Sequence, residues 1–159
     1  MKNKFSFRLS TLILILFALL LVFGASFSPA ASVKTSSGGD SWFFAQIFLG
    51  AFGSFFYFII VVLLLLLGLI LAFYVDNKIA GLLGAGVSLA SSGGLFYTGL
   101  AFYFEEVKYY SAGGSTTSFG LHFPYFVVMA GFGFLLLLSV FAMIINLLPE
   151  KKKAEVKAA

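Results

Sequence analysis

From Trp42 to Val75 the chain runs 34 residues without a charged side chain. Two later runs, Ile79–Phe104 and Phe123–Leu148, hold 26 uncharged residues each. A shorter one extends from Leu9 to about Phe27 and is rich in Leu, Ile and Phe. A helix crossing a bilayer needs about 20 mostly apolar residues, because the hydrocarbon core is ~30 Å thick and each helical residue rises ~1.5 Å. All ten Lys and Arg and all six Asp and Glu fall outside these four runs. A soluble surface helix keeps a polar face toward water, and sixteen charges cannot cover this much apolar mass. Of the 159 residues 61% are hydrophobic and 10% charged, against about 45–50% and about 25% in soluble domains. Intrinsic disorder needs the opposite balance. The reading is an all-α integral membrane bundle of four transmembrane helices, in one domain. The spans are about 9–27, 46–75, 79–104 and 123–148, and residues 149–159 form a basic cytoplasmic tail.

The connections set the topology. Asp76-Asn77-Lys78 alone joins the second and third runs, which forces an antiparallel helical hairpin. Asn tolerates the left-handed conformation that such turns often use. Pro29–Asp40 and Glu105–His122 are rich in Ser, Gly and Thr. They read as mobile loops, too small for a folded domain outside the membrane. The second run is longer than a span requires, since 34 helical residues would extend ~51 Å. Gly50 and Gly53 are its expected bend points, Asp40 or Ser41 its N-cap, and Trp42 an interfacial anchor. Pro124 suits the first turn of the fourth helix.

Lys and Arg set the orientation. With both termini inside (N-in/C-in), the inner side carries Lys2, Lys4, Arg8, Lys78, Lys151, Lys152, Lys153 and Lys157, and the outer side only Lys34 and Lys108. That bias matches the positive-inside rule. The net charge of +4 therefore points to lipid headgroups rather than nucleic acid. The expected location is the plasma or cell membrane, as a multi-pass protein. The first run has a rival reading as a secretory signal peptide. Lys2, Lys4 and Arg8 are its basic region, Leu12–Phe23 its apolar region, and Ser28-Pro29-Ala30 its small-residue site before Ala31. The apolar run is long for a signal peptide, so a retained span is expected.

Within the third run small residues recur every four positions. Ala80, Gly84, Ser88 and Ser92 form one series, and Gly86, Ala90 and Gly94 another. Spacing of four places each series on one helix face, where small side chains let a neighbouring backbone approach. Gly84, Gly86, Ser88, Ala90, Ser92 and Gly94 are therefore the expected packing positions. An alternative makes Ser88, Ser92 and Thr98 the lining of a polar path. In the second run Phe44, Phe48, Phe52, Phe55 and Phe56 share one side, and Gln46, Gly50, Gly53, Ser54 and Tyr57 another. Trp42, Tyr97, Tyr103, Tyr109 and Tyr110 gather toward the outer interface. Glu105, Glu106 and His122 are the outer groups from which a cation site or an enzyme would be built. Asn146 is expected to hydrogen-bond the Asp76–Lys78 turn.

The absences narrow the function. Pumps, proton relays and voltage sensors place ionisable residues inside their spans, and none is here. There is no cysteine, P-loop, dinucleotide fingerprint, nucleophile elbow or HExxH. No cofactor is implied. The layout resembles four-span families such as claudins and tetraspanins. It lacks their outer-loop cysteines, the claudin tryptophan signature and a large second outer domain, so no family follows from it. The expected role is that of a non-catalytic accessory or structural subunit of a larger membrane complex, with other membrane subunits or further copies of itself as partners. The alternative is a passive transporter or channel for a small solute or lipid.

Overall fold

The computed structural model describes the backbone of residues 2–35, 38–43, 46–47, 53, 55–112 and 118–148. Helix α1 is Lys2–Ser26, strand β1 Pro29–Thr35 and strand β2 Gly38–Phe43. Helix α2 (Phe55–Tyr74) and helix α3 (Lys78–Ala112) follow, then strand β3 (Ser118–Leu121) and helix α4 (Phe123–Leu147). Three helices are long and apolar enough to cross a membrane, over Phe56–Tyr74, Lys78–Glu106 and Phe123–Leu147. Helix α1 adds an apolar stretch at Ser10–Ser26. The chain is mostly helical, as read from the sequence, and suited to a membrane.

The helices neighbour one another in the order α2, α3, α4, α1, with a lesser contact between α2 and α4. In α1 the buried Ile15, Ala18 and Val22 recur at three- and four-residue spacing, which puts them on one face. Val22 meets Gly131 of α4 on that face. The core of the other three helices is built from Leu65, Leu69 and Phe73, then Leu95, then Val128, Phe132, Leu135 and Ile145. Leu63, Leu67, Leu83 and Leu137 point outward and stay more than half exposed. In lipid that exposure costs nothing, because acyl chains are as apolar as Leu, and cohesion comes from close packing instead.

Several ends differ from the sequence expectation. The second run does not begin its long helix at residue 46. Gly53 takes a positive φ of 67°, which glycine alone adopts readily, and α2 starts only at Phe55. Its 20 residues still reach ~30 Å, one bilayer core. Asn77 makes no left-handed turn, for no non-glycine residue has positive φ among the described residues. It caps α3 instead. Its Oδ1 accepts from the backbone N–H groups of Ile79 and Ala80 at 2.9 and 3.2 Å, satisfying donors that a helix start leaves open. The expected stripes of the second run fall largely on residues 44, 48, 50, 52 and 54, outside the described residues, as does the basic tail 149–159.

The outer connections are the main correction. They are not simply mobile loops, because they form a three-stranded antiparallel sheet in the order β2-β1-β3. Ala31 pairs with Trp42 on one side and Leu121 on the other, and Val33 pairs with Asp40 and Phe119. Ala31 and Val33 are buried while Ser32 is half-buried and Lys34 exposed, the period-two alternation of a strand with one covered face. Asp40, Ser41 and Trp42 belong to β2. Helix α3 continues past Phe104 to Ala112, so part of the second connection is helical. The sheet lies where α1 and α3 end and α4 begins. The Asp76–Asn77 turn lies at the opposite end.

Candidate functional site

Apart from Thr11 and Ser26 of α1, the buried polar side chains among the described residues, Ser88, Ser91, Ser92, Ser139 and Asn146, lie on α3 and α4. Gly68 and Gly84 bring two helix backbones into direct contact. A Cβ built on Gly68 would lie 2.6 Å from the Gly84 carbonyl oxygen and 2.7 Å from the Ser88 nitrogen. One built on Gly84 would lie 2.6 Å from the Gly68 oxygen and 2.5 Å from Leu71 Cβ. Real Cβ atoms do not approach that closely, so glycine is required on both helices.

Ser88 and Ser92, both 0% exposed, continue this face. The Ser88 hydroxyl donates to the Ala85 carbonyl at 3.0 Å and that of Ser92 to the Ser88 carbonyl at 2.7 Å. Ser139 of α4 donates to Leu135 at 2.8 Å, and its oxygen stands 3.3 Å from that of Ser92. Thr98 donates to Gly94 at 2.9 Å. Each hydroxyl thus turns back onto its own helix. The structure brings Ser88 and Ser92 together and leaves Thr98 half-buried one and a half turns further along the helix. The Gly86, Ala90 and Gly94 series faces elsewhere. Ala90 and Gly94 are exposed, and no atom lies within 4 Å of a Cβ built on Gly94.

Asn146 bonds the end of α2 just before the Asp76–Lys78 turn. Its Nδ2 donates to the carbonyls of Ala72 at 3.0 Å and Ala142 at 2.9 Å, and its side chain lies against Gly81. Ala72 sits in the last turn of α2, where carbonyls lack helical partners. One side chain therefore joins α2, α3 and α4 at the end holding the Asp76–Asn77 turn. Toward the sheet end the Tyr125 hydroxyl donates to the Gly99 carbonyl at 2.9 Å, tying α4 to α3. Tyr125→Phe is expected to lower stability in detergent by about 0.5–1.5 kcal/mol, read from thermal unfolding by circular dichroism. Among the described residues no buried side-chain nitrogen or oxygen lacks a partner.

Two grooves open beside α4. One of about 760 Å³ lies against α1, walled by Leu14, Phe17, Gly24, Val127, Gly131 and Phe134 among others. One of about 480 Å³ lies against α3, walled by Phe96, Leu100, Tyr103, Phe126 and Met129. Neither presents a carboxylate, an amine or an imidazole, and their hydroxyls are those of Ser28 in the first and of Tyr103 and Tyr125 in the second. At the outer end His122 is exposed, and its Nε2 stands 2.9 Å from Ser32 Oγ. Glu105 is exposed and Glu106 half-buried at the end of the apolar part of α3. Among the described residues no three His, Asp or Glu side chains are grouped to hold a metal ion.

Sequence reasoning singled out Gly84 and missed its partner Gly68. The signal was present, as a lone glycine in the run Leu63–Leu71. It also missed Tyr125, which no spacing or motif in the fourth run marks out. Comparison with protein-family models, curated proteins and solved structures returned no match.

Proposed function

We propose that the chain is a non-catalytic subunit of a larger membrane assembly. It crosses the plasma membrane four times with both termini inside, and its partners are other membrane subunits or further copies of itself. The observation that carries this reading is a division of labour. The polar groups inside the described bundle are consumed by helix packing, while the broad apolar faces of α1 and α4 and the grooves between them stay uncovered. Purification in mild detergent with chemical cross-linking tests it. A defined oligomer or a stoichiometric partner is the expected result, and a lone monomer would overturn it.

The orientation is supported by eight Lys and Arg at the end holding the termini and the Asp76–Asn77 turn, against two at the sheet end. The chain has no cysteine, so single-cysteine labelling is direct. Lys34 and Lys78 are both exposed. With a membrane-impermeant maleimide on intact cells, Lys34→Cys is expected to label, and Lys78→Cys only after permeabilisation. The reverse pattern would invert the topology.

A further inference from the structure

We propose that the Ala30–Ala31 peptide bond is a latent signal-peptidase cleavage site, and that the outer sheet holds it shut so that α1 stays attached. The sequence around it has what such an enzyme reads: basic residues, an apolar helix, then the small residues Ser28 and Ala30 flanking Pro29. The structure places the bond correctly as well. Helix α1 ends at Ser26, Phe27 and Ser28 turn, and the chain is extended from Pro29 onward, at the membrane edge where the sheet begins.

Folding then closes the bond from its far side. A protease binds its substrate as an extended strand with a free edge, and β1 is the central strand, with both edges taken from Ala31 onward and a register shift at Ala30. The carbonyl that would be attacked, that of Ala30, accepts the His122 N–H at 2.9 Å. Ala31 is paired with both Trp42 and Leu121. Ala30 and Ala31 are 0% exposed, so pockets for small side chains cannot reach them. The chemistry is simple hydrolysis. Water adds across the C–N bond, leaving a carboxylate on Ala30 and an ammonium on Ala31, with no cofactor. The local β1–β2 hairpin closes one edge of the strand as soon as residues 29–43 are clear of the membrane, and His122 and Leu121, from the second connection, complete the closure later.

The inference rests on the outward placement of the sheet and not on the assembly reading. Its test is the intact mass and N-terminal sequence of full-length protein recovered from membranes of a host with signal peptidase. Wild type is expected to remain uncut, at 17.2 kDa before any trimming of the first residue. Val33→Pro removes a ladder donor from the central strand and is expected to raise the fraction beginning at Ala31 at least about tenfold, as opening of the sheet governs cleavage. Adding Ala30→Leu to Val33→Pro is expected to abolish that product, which general proteolysis of a misfolded chain would not do. Wild type beginning at Ala31 would overturn the proposal. So would Val33→Pro remaining uncut there, or a double variant cut equally. Failure of outward labelling at Lys34→Cys would instead locate the fault in the orientation.

Discussion

Asn146→Asp is expected to destabilise the bundle by about 3–5 kcal/mol at neutral pH, the range seen when a buried group is left with an uncompensated charge. The change alters almost no volume. It replaces an amide that donates to the Ala72 and Ala142 carbonyls by a carboxylate with nothing to donate, facing two carbonyl oxygens. The loss should depend on pH. Protonating the carboxylate removes the uncompensated buried charge. Stability is then regained as pH falls. A protonated carboxyl restores one donor of the original two, so the rescue is partial. Unfolding in detergent followed across pH checks this. Equal stability of variant and wild type at pH 7 would mean that Asn146 joins no helices.

Gly84→Ala and Gly94→Ala are expected to move stability in opposite directions, although both place the same methyl group on α3. At Gly84 the new Cβ meets the Gly68 carbonyl and Leu71, and forcing α2 away costs about 1–3 kcal/mol. At Gly94 nothing stands within 4 Å, and the stiffer unfolded chain and better helix propensity contribute up to about 1 kcal/mol. Thermal unfolding of both variants in one detergent decides it. A gain at both positions would show that the backbone contact does not govern the α2–α3 seam.

The sequence revealed the helices because lipid demands one property over some twenty residues, and a long charge-free run suits little besides a spanning helix. It revealed their ends less well. In the run from Trp42, Gly53 was legible as a bend point, but composition did not show that the long helix starts only after it, at Phe55. The sheet escaped because Ser, Gly and Thr in Ser32–Ser41 and Ser115–Gly120 resemble loop composition. The pairing partner of Ala31 lies far along the chain at Leu121, and no local pattern announces it. The alternation of Ala31 and Val33 with Ser32 and Lys34 was the one local cue. Among site residues, Gly84, Ser88 and Ser92 were legible from their spacing. Asn146 was recognised as notable, but its acceptor at Ala72 was not legible, because reach along a helix end depends on how α2 and α4 cross.

The sheet also has a temporal meaning. Residues of β1 and β3 pair across about ninety intervening positions, and contacts of such separation form late because the chain between them must first be confined. Here the intervening chain is the α2–α3 hairpin. A molecule in which that hairpin failed to insert, or inserted the wrong way round, would leave β3 without access to β1. Completion of the sheet is therefore a record that the α2–α3 hairpin has arrived, and in refolding experiments it is the expected slowest phase.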